Sequence, residues 1–215
     1  MRDLLSFSLL SLSAIFVVVD PLGAVPLFLS MTSRESQAEK ARTARRAALA
    51  TFWILTVFAL AGTLIFRVFG VTLGSFKVAG GVLLLLTAFD MLRAQPTRTR
   101  TTPEEEQERA GDDIAIFPLA MPILAGPGSI ATVLSLMGRA GHTLLVVPVI
   151  LSIALTCVAT WLMLRGGSHL EKILGVTRMN VLQRVSGLIT SAIGVQFIFD
   201  GIKDAFPGLA GSQVG

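Results

Sequence analysis

Charged side chains are scarce in this sequence. Asp, Glu, Lys and Arg make up 15% of the 215 residues, whereas hydrophobic residues make up 53%. A soluble domain normally carries about 25% charged residues, so this composition predicts an integral membrane protein. The formal net charge of +4 is spread over the loops. We therefore interpret it as membrane topology and expect no nucleic-acid partner.

Side chains for metal binding and nucleophilic chemistry are also few. One cysteine, Cys157, excludes an intramolecular disulfide, and the two histidines are His142 and His169, both in predicted loops. The sequence contains no His-Glu-x-x-His, no Gly-x-Ser-x-Gly and no Gly-x-x-x-x-Gly-Lys-Ser/Thr pattern, which are signatures of metalloproteases, serine hydrolases and nucleotide-binding loops. We therefore expect neither an enzyme nor an ATP-driven pump, and no metal or cofactor.

Long apolar runs fill most of the chain. A run of about 20 residues can cross a bilayer core of about 30 Å. Three runs carry no charge: Ala47–Phe66, Ile114–Met137 and Thr143–Leu164. Three more contain or adjoin a charge: Leu4–Met31, Val71–Leu92 and Val185–Ile202. The sequence thus predicts an all-α polytopic membrane protein with six transmembrane helices, forming one domain over residues 1–215.

The basic residues predict the orientation. The loops after the first, third and fifth predicted spans hold 13 of the 18 Lys and Arg residues. Cytoplasmic loops carry an excess of positive charge. These loops are therefore predicted to be cytoplasmic, with both termini outside.

The first span is interrupted at its middle by Asp20-Pro21-Leu-Gly23-Ala-Val-Pro26. A carboxylate within a membrane is energetically costly and marks a candidate functional site. Pro21 and Pro26 lack the backbone donor that a continuous helix needs. Asp followed by Pro is typical of a helix start, with Asp as the N-cap and Pro at the first position. We predict two half-helices, the second beginning at Asp20 near the bilayer midplane.

The fourth span carries a similar interruption, Gly126-Pro127-Gly128-Ser129. Irregular backbone at membrane depth is tolerated only where it is buried in protein or lines a water-filled cavity. The first and fourth helices are therefore both predicted to be broken at mid-membrane.

The two halves of the chain resemble each other weakly. Lys77-Val-Ala-Gly80 aligns with Arg184-Val-Ser-Gly187 at an offset of 107 residues, and Gly23 aligns with Gly128 at an offset of 105. This predicts two three-helix repeats, residues 1–92 and 114–215, joined by a cytoplasmic loop over 93–113. Because each repeat has three spans, an odd number, the second repeat must cross the membrane in the opposite orientation to the first. Paired broken helices in inverted repeats indicate a transporter site.

Both half-helices would point their N-termini at the centre of the membrane, where free N–H groups and helix dipoles favour an anionic group. The Asp20 carboxylate could hold an ammonium group or a coupling proton. A zwitterion could therefore bind the helix N-termini with its anionic group and Asp20 with its ammonium group. In the alternative interpretation the breaks are ordinary kinks and Asp20 is only a helix cap. We interpret Asp90 and Asp200 as interfacial. The predicted substrate-binding residues are Asp20, Pro21, Gly23, Pro26, Gly126, Pro127, Gly128, Ser129 and Gln196.

These segments resemble a known family. The stretch Asp20–Phe28 is similar to the N-terminal signature of the MarC family of bacterial inner-membrane proteins. Further segments resemble its other blocks: Phe76–Gly81, Ala88–Leu92, Pro122–Ser129 and Arg184–Gly201. The resemblance covers nearly the whole chain. It implies six spans, a bacterial inner-membrane location and a relation to neutral amino acid transporters.

The leading functional hypothesis is a secondary transporter or exporter of small neutral amino acids by alternating access, with proton coupling through Asp20 as an option. Its partners would be that small-molecule substrate and the lipid bilayer. A passive channel for small solutes is the first alternative, although the sequence has neither paired Asn-Pro-Ala boxes nor a mid-membrane arginine. A structural membrane protein is the second alternative, but it leaves the paired breaks unexplained.

Overall fold

The computed structural model describes residues 2–93, 115–139 and 143–206, and these ranges are almost entirely helical. Residues 94–113 of the predicted cytoplasmic loop lie outside them. In chain order the helices are α1 (Arg2–Val19), α2 (Pro21–Met31), α3 (Gln37–Phe69), α4 (Leu73–Arg93), a π-helix (Ala115–Leu124), α5 (Pro127–Arg139) and α6 (Thr143–Ala205).

The helix α6 consists of two arms that meet at Gly175. That residue has φ 72° and ψ 165°, a backbone conformation that essentially only glycine adopts. On either side of this kink lie two long apolar stretches, Leu145–Leu170 and Thr177–Ala205. They are called here the first and second arms of α6. Gly175 thus allows two long apolar helices to follow each other without an intervening coil.

Within the described ranges, five helical stretches are long and apolar enough to cross a membrane: Leu4–Met31, Gln37–Gly62, Leu73–Arg93 and the two arms of α6. The protein is therefore an all-helical polytopic membrane protein. The expected fourth span is not one helix of spanning length, because the chain there is divided into the π-helix and α5.

The helix α5 lies in the interior of the molecule. Nearly all of its residues from Gly128 to Leu136 are buried. Exposed apolar side chains are instead concentrated on the surrounding helices, with Trp53 62% and Val147 64% exposed. This pattern is the one expected of a bundle whose outer surface contacts lipid.

Small residues let α4 pack closely against the second arm of α6. A Cβ atom added at Gly81 would lie 2.5 Å from the Gly194 carbonyl oxygen, and one at Gly201 would lie 2.6 Å from the Gly74 carbonyl oxygen. The residue numbers run in opposite directions, so the two helices are antiparallel. This contact holds α4 against the second arm with no room for larger side chains.

Candidate functional site

The first helix break lies at the position that the sequence predicts. The helix α1 ends at Val19 and α2 begins at Pro21, with Asp20 between them at φ 47° and ψ 64°. This is the left-handed region, which Asp and Asn enter more readily than most residues with a side chain. Asp20 is the single non-glycine residue with positive φ in the described ranges.

Asp20 caps α2 with its own side chain. Its Oδ1 accepts a hydrogen bond from the Gly23 backbone N–H at 3.0 Å, and its carbonyl oxygen accepts one from the Ala24 N–H at 3.1 Å. Pro21 occupies the first helical position, where a missing N–H is harmless. The carboxylate therefore neutralises part of the positive end of α2.

The second break is built from backbone and a hydroxyl group. The π-helix before it ends with a bond from the Ala125 N–H to the Ala120 carbonyl oxygen at 2.8 Å. The Gly126 carbonyl oxygen accepts from the Ile130 N–H at 3.0 Å, so Gly126 is the N-cap of α5 and Pro127 follows it. The Ser129 hydroxyl donates to the Leu124 carbonyl oxygen at 2.8 Å across the break.

Among the residues that the structure describes, no side chain caps the N-terminus of α5. Gly126 offers no acceptor, and the Ser129 hydroxyl is directed back to Leu124. Among the described residues, no hydrogen-bond acceptor is found for the N–H groups of Gly128 and Ser129. These two donors and the positive end of the α5 dipole are thus available to an anionic group.

The two breaks line one cavity of about 50 Å³. Asp20 and Gly23 line it from the first break, and Gly126–Ser129 line it from the second. A space of this size holds a few water molecules, whereas small-molecule sites usually span about 300–1,000 Å³. The structure therefore shows the two breaks together around one small space, called here the central cavity.

Glycines let other groups approach the cavity closely. A Cβ atom at Gly128 would lie 2.6 Å from Leu84 Cδ1, and one at Gly23 would clash with the Asp20 carboxylate and lie 2.5 Å from Met91 Cε. A Cβ atom at Gly80 would lie 3.3 Å from the Pro127 carbonyl carbon. Substitutions at Gly23 or Gly128 would consequently fill the cavity or displace its walls.

Three of the nine predicted site residues do not line the central cavity. Pro21 is buried at the start of α2, and Pro26 lies within α2. Gln196 is on an exposed face, where its Nε2 donates to Asp200 Oδ1 at 2.9 Å. The other six predicted residues all line the cavity.

The structure adds hydroxyl groups that the sequence prediction did not include. Thr87 from α4 and Thr190 from the second arm of α6 line the cavity, and the buried Ser186 side chain approaches the Asp20 carboxylate. A signal for Thr87 exists in the sequence. Its spacing from Leu84 and Met91 is typical of one helix face, and both of those residues also line the cavity.

The arrangement suits a small zwitterion. The first break supplies a carboxylate and the second supplies free N–H groups at a helix N-terminus, so opposite charges on one ligand would each find a complementary group. Within the described ranges, no group of three His, Cys, Asp or Glu side chains could hold a metal ion.

Comparison with known proteins supports a family assignment. The family model described as "MarC family integral membrane protein" matches residues 5–206. The UPF0056 membrane protein YvbG of Bacillus subtilis is 36% identical, over 90% of this chain and 93% of that protein. The UPF0056 membrane protein MJ1677 of Methanocaldococcus jannaschii is 38% identical over 94% and 98%, and YhcE of Escherichia coli is 34% identical over 91% of each. No solved structure matches. The chain therefore belongs to the MarC family of integral membrane proteins.

Proposed function

We propose that this protein is a secondary transporter of small neutral amino acids, or similar small zwitterions, that works by alternating access. One observation carries the proposal. The Asp20 carboxylate and the uncapped N-terminus of α5 line the same cavity. The substrate carboxylate would bind the N–H groups of Gly128 and Ser129, and its ammonium group would bind Asp20.

The proposed architecture has six spans in two inverted repeats, with the π-helix and α5 together forming the fourth. The matching local geometry of the two breaks supports it. In each, the N-cap carbonyl accepts from the residue four positions later, and proline follows the cap. Asp20 then corresponds to Gly126, one residue away from the register that the Gly23–Gly128 alignment predicts. We place the protein in the bacterial inner membrane with both termini outside.

The size of the cavity favours a carrier over a passive channel. A space of about 50 Å³ is too small for an amino acid and must enlarge to admit one, as alternating access requires. Of the carboxylates in the described residues, Asp20 is the one that lines it. We therefore assign the coupling of transport to protons to Asp20.

Exchange in proteoliposomes tests the proposal. Vesicles containing the purified chain and loaded with unlabelled alanine are given labelled alanine, glycine, serine or threonine outside. We expect exchange that saturates with concentration and that is strongly reduced in Asp20→Asn. Flux that rises linearly with concentration and is the same in the wild type and in Asp20→Asn would indicate a channel. Absence of flux for all four amino acids would contradict the proposed substrate class.

A further inference from the structure

A second and larger cavity opens beside the central one. This groove has a volume of about 430 Å³, within the range of small-molecule sites. It lies between α1, α4, α5 and the second arm of α6, with Ser13, Lys77, Ser135, Arg139 and Asp200 among its lining residues. None of these residues belongs to the predicted substrate site.

The groove leads away from the central cavity along α5. Val18 lines both spaces. From the cavity outward, Ser129, Thr132, Ser135 and Arg139 follow one another at three- or four-residue spacing, which places them on one helix face. Ten residues of helix rise about 15 Å, which is about half of a bilayer core. A polar path thus connects the cavity with the end of α5.

One hydroxyl on this path has no protein partner. The Thr132 hydroxyl donates to the Gly128 carbonyl oxygen at 2.9 Å, as hydroxyl groups in helices often do. The Ser135 Oγ, by contrast, is buried and has no hydrogen-bond partner among the described residues. Buried polar groups are nearly always paired, so Ser135 is suited to bind water or a passing ligand in the groove.

The mouth of the groove carries both signs of charge. Lys77 Nζ lies 2.7 Å from Asp204 Oδ2, and Asp200 accepts from Gln196. Arg139 at the end of α5 has no ion-pair partner within the described ranges. A simple anion would be repelled by Asp200, and a simple cation would be repelled by Arg139. A zwitterion can pair with both residues.

The elements that form the groove place its mouth on one side of the membrane. The groove contains residues of α1 between Leu10 and Val18, which precede the first break, together with residues near the start of α4 and in the C-terminal parts of α5 and α6. In the proposed topology, these segments of α1, α4, α5 and α6 all lie in the outer half of the membrane.

We infer that this groove is the outer access path of the transporter and that Arg139 and Asp200 form a capture site for zwitterions at its mouth. The substrate carboxylate pairs with Arg139 and its ammonium group with Asp200 before the substrate moves along α5 to the central cavity. The inference rests on the proposed function for its ligand, but the accessibility of the groove can be tested without any transported substrate.

Cysteine labelling tests the path. In a Cys157→Ala background, Ser13→Cys and Ser135→Cys are treated with a membrane-impermeant thiol reagent applied to the outer face of intact vesicles. Ser11→Cys is the control. Ser11 lies on the same helix as Ser13 and, like Ser135, has a side-chain oxygen without a hydrogen-bond partner among the described residues. It is 0% exposed and does not line the groove. We expect rapid labelling at position 13, slower labelling at position 135, where the Ser135 Oγ is buried, and none at position 11.

Kinetics test the capture site. Arg139→Gln should raise the half-saturation concentration for external alanine by about tenfold, equivalent to 1.4 kcal/mol, and leave the maximal exchange rate unchanged. Lys203→Gln is the control, because Lys203 is an exposed basic residue near the same end that does not line the groove. Equal effects of the two substitutions would refute the capture site.

The outcomes separate this inference from the proposed function. Labelling at positions 13 and 135 without amino acid flux would support the path and contradict the transport function. Saturable flux with no more labelling at 13 and 135 than at 11, or labelling only from the cytoplasmic face, would support transport and refute this path.

Discussion

The two helix breaks share a backbone plan but differ in what they offer a ligand. In both, a carbonyl accepts the first helical hydrogen bond and a proline follows. At the first break the N-cap is Asp20, whose carboxylate occupies the helix N-terminus. At the second break the N-cap is Gly126, and the donors of α5 stay open. One break therefore supplies a negative charge and the other supplies a positive helix end.

A repeated backbone plan can therefore produce an asymmetric site. If both breaks carried Asp, the cavity would hold two carboxylates and would repel the anionic end of a substrate. If both carried Gly, nothing would hold an ammonium group. Because the difference lies in single residues, substitution at each break can test its role separately.

The largest effect is expected at Asp20. Asp20→Asn keeps an oxygen acceptor for the Gly23 N–H and tolerates the left-handed conformation, but it removes the charge. Asp20→Ala also removes the cap, which costs about 1 kcal/mol, and forces a strained backbone. We expect both variants to lose at least about tenfold in alanine exchange, and only Asp20→Ala to unfold at lower temperature in detergent. Normal exchange by Asp20→Asn would show that Asp20 is only a helix cap.

A somewhat smaller effect is expected at the second break. Gly128→Val places methyl groups against Leu84, which must shift because a Cβ atom at Gly128 would lie 2.6 Å from its Cδ1. Overpacking of this kind costs about 1–3 kcal/mol, and we expect it to weaken alanine binding, measured by calorimetry. At Gly138 on the same helix, a Cβ atom would meet nothing within 4 Å. Gly138→Val should therefore bind normally, and equal binding by the two variants would contradict the site.

A stability change is expected where a hydroxyl bridges the second break. Ser129→Ala leaves the buried Leu124 carbonyl oxygen without its 2.8 Å partner, at a cost of about 1–3 kcal/mol. Ser191→Ala removes a similar bond, 2.7 Å to the Leu188 carbonyl oxygen, at an exposed position. Its effect should stay within about 0.5 kcal/mol. Equilibrium unfolding in detergent would compare them, and equal losses would show that the bond at the break has no special role.

The smallest effect is expected from the shared prolines. Pro21→Ala and Pro127→Ala keep helical geometry at the first position and mainly increase the freedom of the unfolded chain. Each should lower stability by about 0.4–1 kcal/mol, by similar amounts at the two breaks. A large loss at one break alone would show that the two do not share a backbone plan.

Local chemistry explains why the breaks could be predicted from sequence. Asp20-Pro21 and Gly126-Pro127 each combine a helix N-cap with a residue that cannot continue a preceding helix, so their positions depend on a few neighbouring residues. The π-helix over Ala115–Leu124 could not be predicted in this way. In a π-helix each N–H donates to the carbonyl oxygen five residues earlier, and no residue type in this segment is specific for that pattern.

Side chains that reach the cavity from other helices were harder to predict. Thr87 and Thr190 line it only because α4 packs against the second arm of α6 in one register. Gln196 is a polar residue within a predicted span, but its side chain donates a hydrogen bond to the Asp200 carboxylate one helical turn away and does not reach the cavity. Whether a polar residue of a span faces the interior depends on such tertiary contacts.

A binding comparison between alanine and propionate, which lacks the ammonium group, tests the roles of Asp20 and of the α5 N-terminus together. Isothermal titration calorimetry would measure both ligands with the purified wild-type chain and with Asp20→Asn. If Asp20 holds the ammonium group and the N-terminus of α5 holds the carboxylate, the wild type should prefer alanine by about tenfold or more, and Asp20→Asn should bind the two alike. An undiminished preference for alanine in Asp20→Asn would show that Asp20 does not bind the ammonium group.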